Sequence, residues 1–434
     1  MTNPRYLAAK LLDKTFRSGS YSNIQLNSGL EKSDLDFQGK KLCTALYYGV
    51  IRRRITIDYI LSQYCSRPLE KMDSIIVTIL RCGIYQLLYM DGIPDNAAVN
   101  ESVSLAKQFR KTSASGMINA VLRNFIRNGK KFVCSLNDAD ELSVKYSVPV
   151  PLIESLAADY GMETASLFCE YGLKSDECTF IRRNPLKCTH DELVKSLDKI
   201  ELHTDDELCY SFTHGDIINT DAFKSGFFHV QGLASQICCE VLNPDENDRV
   251  LDICAAPGGK TFTMSEMMNS GGEIHAFDLH EKRVRLIRNG AERLGLSNIT
   301  AKTGDGAIFN PELPDYTKIL CDVPCSGFGV IRSKPEIRYR NIQDFADLPE
   351  IQYRIAENAL KYLAAGGEMV YSTCTVRKDE NDEVVAKLLA NHPEITLAEI
   401  PEIHGHRFDN PVTLFPFMIE NCSGFFIAKF KKLY

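Results

Sequence analysis

Two cysteines in this sequence stand where a thiol can act as a nucleophile. One lies in Cys321-Asp322-Val323-Pro324-Cys325-Ser326-Gly327, the other in Tyr371-Ser372-Thr373-Cys374-Thr375. Buried cysteines commonly serve as small apolar residues, but these two follow β-type runs and sit in turns that present side chains to a ligand. A carboxylate, Asp322, accompanies them. A third segment, Cys254-Ala255-Ala256-Pro257-Gly258-Gly259-Lys260-Thr261, follows Leu251-Asp252-Ile253. Its small residues let the backbone approach a ligand closely, and the helix expected after it offers free N–H groups. It is not a GxGxxG, and the phosphate-loop pattern fails because Cys254 stands where GxxxxGK[ST] requires glycine. Asp278, 26 residues after Asp252, is placed like the carboxylate that receives ribose hydroxyls in a doubly wound fold, and equally like a helix cap. Gly304-Asp305-Gly306 makes a turn whose carboxylate suits an adenine amino group. These are the marks of an adenosine-type ligand without a pyrophosphate.

The elements that must position these residues follow from the pattern after Gln231, where strand and helix signals alternate. Residues 249–253, 273–278, 299–303, 318–323 and 368–372 are compact β-type runs, separated by helical stretches at 261–269, 281–294 and 351–363. Such alternation predicts a mainly parallel, doubly wound α/β sheet with its ligands at the carboxyl ends of the strands. The fourth and fifth strands are neighbours in that topology, so Asp322, Cys325 and Cys374 should converge on one pocket. Upstream, apolar residues recur at helical spacing from Arg5 to about Arg127, with breaks at Gly49, Pro68 and Pro94, which predicts an all-α bundle. The division expected is a helical part over 1–131, a linker with one or two helices over 132–175, a small α+β subdomain over 176–230 and the α/β domain over 231–434.

Charge is distributed unevenly. Residues 1–131 carry 20 Lys and Arg against 10 Asp and Glu, an excess of +10, whereas the remainder carries 30 against 47, or −17. A basic helical part can gather a polyanion by counterion release; a merely solvated face is the plainer alternative. Candidate contacts are Arg52-Arg53-Arg54 and the local run Arg332, Lys334, Arg338, Tyr339 and Arg340. Fifteen cysteines without a repeating CxxC imply reduced thiols in a cytoplasmic protein, neither a disulfide frame nor a zinc site, so no metal is expected. No stretch approaches the 18 apolar residues of a spanning helix, and Met1-Thr2-Asn3-Pro4-Arg5 opens no signal peptide, so no membrane partner is expected.

CAAPGGKT, DVPCSG and STCT, in that order, resemble the RNA cytosine carbon-5 methyltransferases of the Nop2/Sun group. The helical part resembles the NusB-type RNA-binding domain through Tyr48-Gly49-Val50-Ile51-Arg52-Arg53, Leu80 to Gln86, Ile93-Pro94, Ala97 to Glu101 and Asn119 to Arg123. The pairing resembles bacterial 16S ribosomal RNA methyltransferases. The resemblance implies a Rossmann-like catalytic domain, an RRM-like small subdomain, S-adenosylmethionine as cofactor, and 16S ribosomal RNA, free or in an early small-subunit particle, as partner. It implies a cofactor site of Cys254, Ala255, Ala256, Pro257, Gly258, Gly259, Lys260, Asp278, Asp305 and Asp322. It further implies Cys374 as the nucleophile, Cys325 as the cysteine that assists product release and Asp322 as the group that reads cytosine.

Rival readings are a transfer-RNA methyltransferase of the same chemistry, a DNA-type enzyme with Cys325 as attacker, and a NusB-like RNA-binding or antitermination factor with a retired catalytic domain. The presence of Asp322, Cys325 and Cys374 together speaks against the last.

Overall fold

The structure, a computed structural model, describes residues 3–18, 22–133, 137–174, 178–204, 206–213, 215–403 and 405–434. Short stretches of the expected helical part, linker and small subdomain thus lie outside the described residues. The chain forms two compact units, Met1–Leu173 with Ile331–Arg340, and Lys174–Val330 with Asn341–Tyr434.

The first unit is all-α. Its helices are α1 (Pro4–Ser18), α2 (Ser22–Glu31), α3 (Phe37–Arg52), α4 (Arg54–Tyr64), α5 (Ser74–Tyr89), α6 (Asp95–Gln108), α7 (Ser115–Arg127), α8 (Asp138–Tyr146), α9 (Val150–Tyr160) and α10 (Met162–Leu173). Asp36 and Asp73 cap α3 and α5 by accepting from Gly39 N–H and Ile75 N–H, and Pro94 opens α6. Helix α5 is apolar nearly all round, which makes it the axis of the bundle core.

Ile331–Arg340 is a plug in this unit. Its short 3-10 helix, Pro335–Tyr339, buries Arg338 completely, where the guanidinium donates to the carbonyls of Gly172 at 2.6 Å and Ile331 at 2.9 Å and lies 3.4 Å from that of Tyr146. Tyr339 donates to Ile51 O at 2.6 Å, and the Arg54 guanidinium stacks 3.9 Å over its ring. Glu336 accepts from the Ser22 hydroxyl at 2.7 Å. The expectation that this run grips RNA is therefore corrected. Arg332 and Arg338 are buried, Tyr339 packs against the bundle core, and only Lys334 of the run is exposed. The alternation of the charges with Ile331, Pro335 and Ile337, all buried, is what draws the segment inward.

The second unit holds two sheets. The small one has order β2-β3-β1-β4 and is antiparallel throughout, built from β1 (Thr179–Arg183), β2 (His203–Thr204), β3 (Cys209–Phe212) and β4 (Phe228–Val230) with helices α11 (His190–Ser196) and α12 (Asp221–Lys224). Next come α13 (Leu233–Leu242), β5 (Arg249–Asp252), α14 (Gly259–Met267), β6 (Glu273–Asp278), α15 (Glu281–Leu294), β7 (Ile299–Thr303), β8 (Tyr316–Asp322), α16 (Leu348–Leu360) and β9 (Leu363–Thr373). The chain ends with α17 (Asp382–Asn391), β10 (Ile395–Leu397), β11 (Val412–Leu414) and β12 (Phe425–Lys432). The large sheet runs β10-β12-β9-β8-β5-β6-β7, with β11 beside β12. Strands β5 to β9 are parallel, as expected, while β10 to β12 add an antiparallel edge. Strand order reverses at β5, between β6 and β8, and that switch point is where ligands of such sheets bind. Among the described residues no helix is long and apolar enough to cross a membrane.

If Arg338 is a structural plug, Arg338→Ala strands backbone carbonyls in a dry interior and should cost about 2–4 kcal/mol of unfolding free energy. Lys334→Ala should cost less than about 0.5 kcal/mol. Urea denaturation followed by far-ultraviolet circular dichroism checks both; equal stabilities would show that the plug contributes nothing.

Candidate active site

Parallel pairing of β8 with β9 sets Asp322 opposite Ser372 in register. Ser372 donates to Asp322 Oδ1 at 2.8 Å, and Lys260, in the first turn of α14, donates to Oδ2 at 2.8 Å. Burial opposes the charge on Lys260. The Asp322 carboxylate, by its charge and its hydrogen bond, outweighs it and holds the ammonium above its ordinary range. The Lys260 ammonium also lies 5.1 Å over the Phe425 ring. Lysine at the mouth of the switch point is thus a fixed cation.

The loop between β5 and α14 is shaped by backbone geometry. The Ala256–Pro257 peptide is cis, and Gly258 has φ +109°, a conformation reserved for glycine. A Cβ at Gly258 would lie 2.5 Å from the Phe262 ring. Ala255 N–H donates to Phe277 O at 2.7 Å, which ties the loop to β6. Arg283, which the sequence reading did not single out, clamps the same loop. One guanidinium nitrogen donates to Ala256 O at 2.6 Å and another pairs with Asp278 Oδ2 at 2.9 Å. Asp278 Oδ1 accepts from His280 N–H at 3.1 Å, a turn bond ahead of α15; the N-cap of that helix is His280, with no side-chain cap, so Asp278 does not cap it.

At the foot of the loop, Asp252 is buried and accepts from the Thr261 hydroxyl at 2.6 Å. Its other oxygen has no hydrogen-bond partner among the described residues. Burial pushes its carboxyl up to about 7, against the pull of Thr261. Burial likewise holds the Cys254 thiol far above its ordinary range, so Cys254 is inert as a nucleophile. Asp305 stands at the end of β7, exposed, with Oδ1 accepting from Ala307 N–H at 2.9 Å. With Gly304, Gly306, Phe277 and Ile253 it lines a cavity of about 200 Å³ whose walls are mostly apolar.

The two thiols meet. Cys325 Sγ and Cys374 Sγ are 3.0 Å apart, and Cys374 N–H donates to Cys325 Sγ at 3.2 Å. The hydrogen bond with Cys374, then burial, push the Cys325 thiol well above its ordinary range. The contact is symmetric in its chemistry: either thiol can donate to the other sulfur.

A buried layer that the sequence reading missed holds both turns. Glu380, fully buried, accepts from Ser326 N–H and Gln352 Nε2, each at 2.9 Å, and Gln352 also donates to Pro324 O at 3.0 Å. The Ser326 and Thr375 hydroxyls bond at 2.9 Å, joining the two cysteine turns directly. Gly329 N–H donates to Cys374 O at 3.0 Å, and a Cβ at Gly329 would lie 2.1 Å from Gly424 O. Sequence shows only the local partner of Glu380, Arg377 three residues before it at 3.6 Å, and nothing there points to Ser326 or Gln352.

Comparison with known proteins agrees with this geometry. The family model for 16S rRNA methyltransferase RsmB/F matches residues 239–431, and that of the NusB family matches residues 2–127. The chain is 35% identical to a probable ribosomal RNA small subunit methyltransferase B of Bacillus subtilis, over 91% of this chain and 89% of that one. It is 32% identical to the corresponding probable enzyme of Synechocystis, over 100% of each. The crystal structure of PH0851 shares the fold, with a TM-score of 0.83 and 22% identity over 100% of this chain and 99% of that one.

The raised carboxyl of Asp252 makes stability depend on pH. Its folded-state value of about 7 lies above the ordinary 3.8, so the folded chain binds the extra proton, and this stabilisation is complete below about pH 4 and lost as pH rises to about 7. Asp252→Asn should remove that slope, of up to about 1.4 kcal/mol per pH unit. Urea midpoints of both proteins from pH 4.5 to 7.5 (roughly the window that linkage sets) check it; parallel curves would show that Asp252 does not hold the proton.

Proposed function

The chain belongs to the RsmB/F family of 16S ribosomal RNA methyltransferases, and from that premise we propose that it methylates carbon 5 of a cytosine in 16S ribosomal RNA, using S-adenosylmethionine and a transient bond from Cys374 to carbon 6. The observation that carries the reading is the convergence of two thiols and a carboxylate on one strand end: the sulfurs of Cys325 and Cys374 lie 3.0 Å apart, and Asp322 pairs in register with Ser372, two residues before Cys374.

Carbon 5 of cytosine is too poor a nucleophile to take a methyl group unaided. Addition of the Cys374 thiolate at carbon 6 makes the ring enamine-like and carbon 5 nucleophilic. Asp322, its oxygens already accepting from Lys260 and Ser372, presents a carboxylate to the exocyclic amine of cytosine and would repel the carbonyl that uracil has there. Once carbon 5 is methylated, its proton passes to water, the C–H electron pair reforms the double bond between carbon 5 and carbon 6, and the carbon 6–sulfur bond breaks with its electrons left on sulfur. Cys374 then departs as a thiolate beside the Cys325 S–H, which stabilises it as a leaving group. The target carbon lies within a stack in any helix, so the base must come from a loop or be flipped out.

S-adenosylmethionine supplies an electrophilic methyl group on a sulfonium. The residues present fit that ligand. Cys254 to Lys260 form a close-approach cradle, Asp278 stands where ribose hydroxyls are received, and Asp305 borders an apolar cavity open to a base. Arg283 is a positioning residue that fixes Asp278 against the cradle. The helical part, residues 1–131 with its +10 excess, docks the RNA, free or in an early small-subunit particle, and residues 231–434 carry the chemistry. Reduced thiols suit the cytoplasm.

Two measurements test the reading. Cys374→Ala should abolish both methyl transfer and any covalent RNA adduct, whereas Cys325→Ala should let a covalent RNA complex accumulate on a denaturing gel. The reverse pattern would make Cys325 the attacker. Gly258→Val and Asp278→Ala should each weaken S-adenosylmethionine binding, the latter by about 1.5–3 kcal/mol. Calorimetry showing unchanged affinity in both folded variants would displace the cofactor from this loop.

A further inference from the structure

The +10 excess of the helical part leaves open which cations face a ligand, and the fold answers much of that question. Arg53 lies 4.7 Å over the Tyr89 ring, Arg54 is held between Tyr339 and Phe16, and Arg81 pairs with Asp58 at 2.7 Å. The candidate run Arg52-Arg53-Arg54 is therefore spent on aromatic rings of its own unit. A different set is unspent. Arg67, Lys71 and Arg127 are exposed, and among the described residues none of them pairs with a carboxylate.

These three side chains line one cavity of about 690 Å³, between the end of α4, the start of α5 and helix α7. Half-buried Met72, Ile76 and Met117, packed on the bundle core, also line it. The single carboxylate lining it, Asp73, is already paired with Lys111 and caps α5, while Glu70 lines a neighbouring cavity. Cations beside an apolar surface are the combination that a nucleotide requires, phosphate on the first and base on the second. We propose that this cavity binds a nucleotide of single-stranded RNA, a site that rests on the RNA-methyltransferase reading and extends it. Its phosphates bridge Arg67, Lys71 and Arg127, and its base lies on the methionine and isoleucine side chains.

A second basic cavity in the same unit, of about 600 Å³, is lined by Lys10, Lys14 and Lys32 but has Leu11 as its sole apolar side chain. It offers charge without a surface for a base and so serves as the control. Fluorescence anisotropy with a short single-stranded oligoribonucleotide, across a salt series, compares the full chain with Arg67→Gln/Lys71→Gln/Arg127→Gln and with Lys10→Gln/Lys14→Gln/Lys32→Gln. The first variant should lose about tenfold or more in affinity, with a salt slope shallower by up to about two units, while the second loses less than about threefold. An abasic oligoribonucleotide should bind the wild-type chain more weakly than the intact one and should bind the first variant no differently from it. Should that variant melt early, Lys71→Gln/Arg127→Gln is read instead. Equal losses in the two triple variants would reduce the effect to long-range attraction and overturn the site, as would no loss in either. S-adenosylmethionine binding and the Cys374 adduct should persist in the cavity variants. Their loss in the wild-type chain would instead sink the enzymatic reading itself, so the two failures are distinguishable.

Discussion

The catalytic unit depends on one register, the parallel pairing that sets Asp322 of β8 opposite Ser372 of β9. Each strand ends within a few residues of its cysteine, so the pairing fixes where both turns begin. A slip of one residue would turn Asp322 and Ser372 to opposite faces of the sheet and separate the thiols. The register is protected by burial on both sides, with Ile319, Met369 and Tyr371 packed in one core and Leu320 and Val370 in another. Hydrophobic burial thus does not merely stabilise the unit; it sets the distance between sulfur atoms.

A second constraint is the cost of placing ionisable groups at dry strand ends. Each buried charge here is met by a partner, Lys260 by Asp322, Asp278 by Arg283 and Glu380 by Ser326, Gln352 and Arg377. Asp252 is the exception, with one oxygen unpaired and its carboxyl pushed up to about 7. A buried carboxyl without a full set of donors is where a cationic ligand would gain most, since it would supply the missing charge. The same logic acts on Cys325, whose thiol is pushed well above its ordinary range by the contact with Cys374 and by burial.

Much of this was legible in the sequence because the relevant signals are local. The run 281–294 is helical over those same residues as α15, and 249–253 becomes β5 with one residue less. The motif turns fell at strand ends because Pro257 and Pro324 donate no N–H to a ladder and Gly258 and Gly327 take positive φ. The antiparallel edge was not anticipated, since β12 is buried on both faces over Phe425 to Phe430 and so lacks the alternation that marks a half-exposed strand. The role of 332–340 was misread for a related reason. Charge count cannot reveal that carbonyls from Gly172 and Tyr146, far away in sequence, wait for Arg338.

The same distinction separates the residues found from those missed at the site. Asp322, Cys325 and Cys374 are visible in the sequence because two thiols and a carboxylate stand in turns after strand-like runs, and turns are written locally. Glu380, Gln352 and Arg283 act through other residues, and nothing in their own neighbourhood states which backbone groups they will hold. Their effect is on geometry. Glu380 and Gln352 grip the turn that carries Cys325 from behind, the Ser326–Thr375 bond joins it to the turn of Cys374, and Gly329 fixes the backbone after Cys374 by an approach no side chain would permit. Two thiols on separate turns would otherwise drift apart to relieve their contact. The buried layer removes that freedom and keeps the two sulfurs at 3.0 Å.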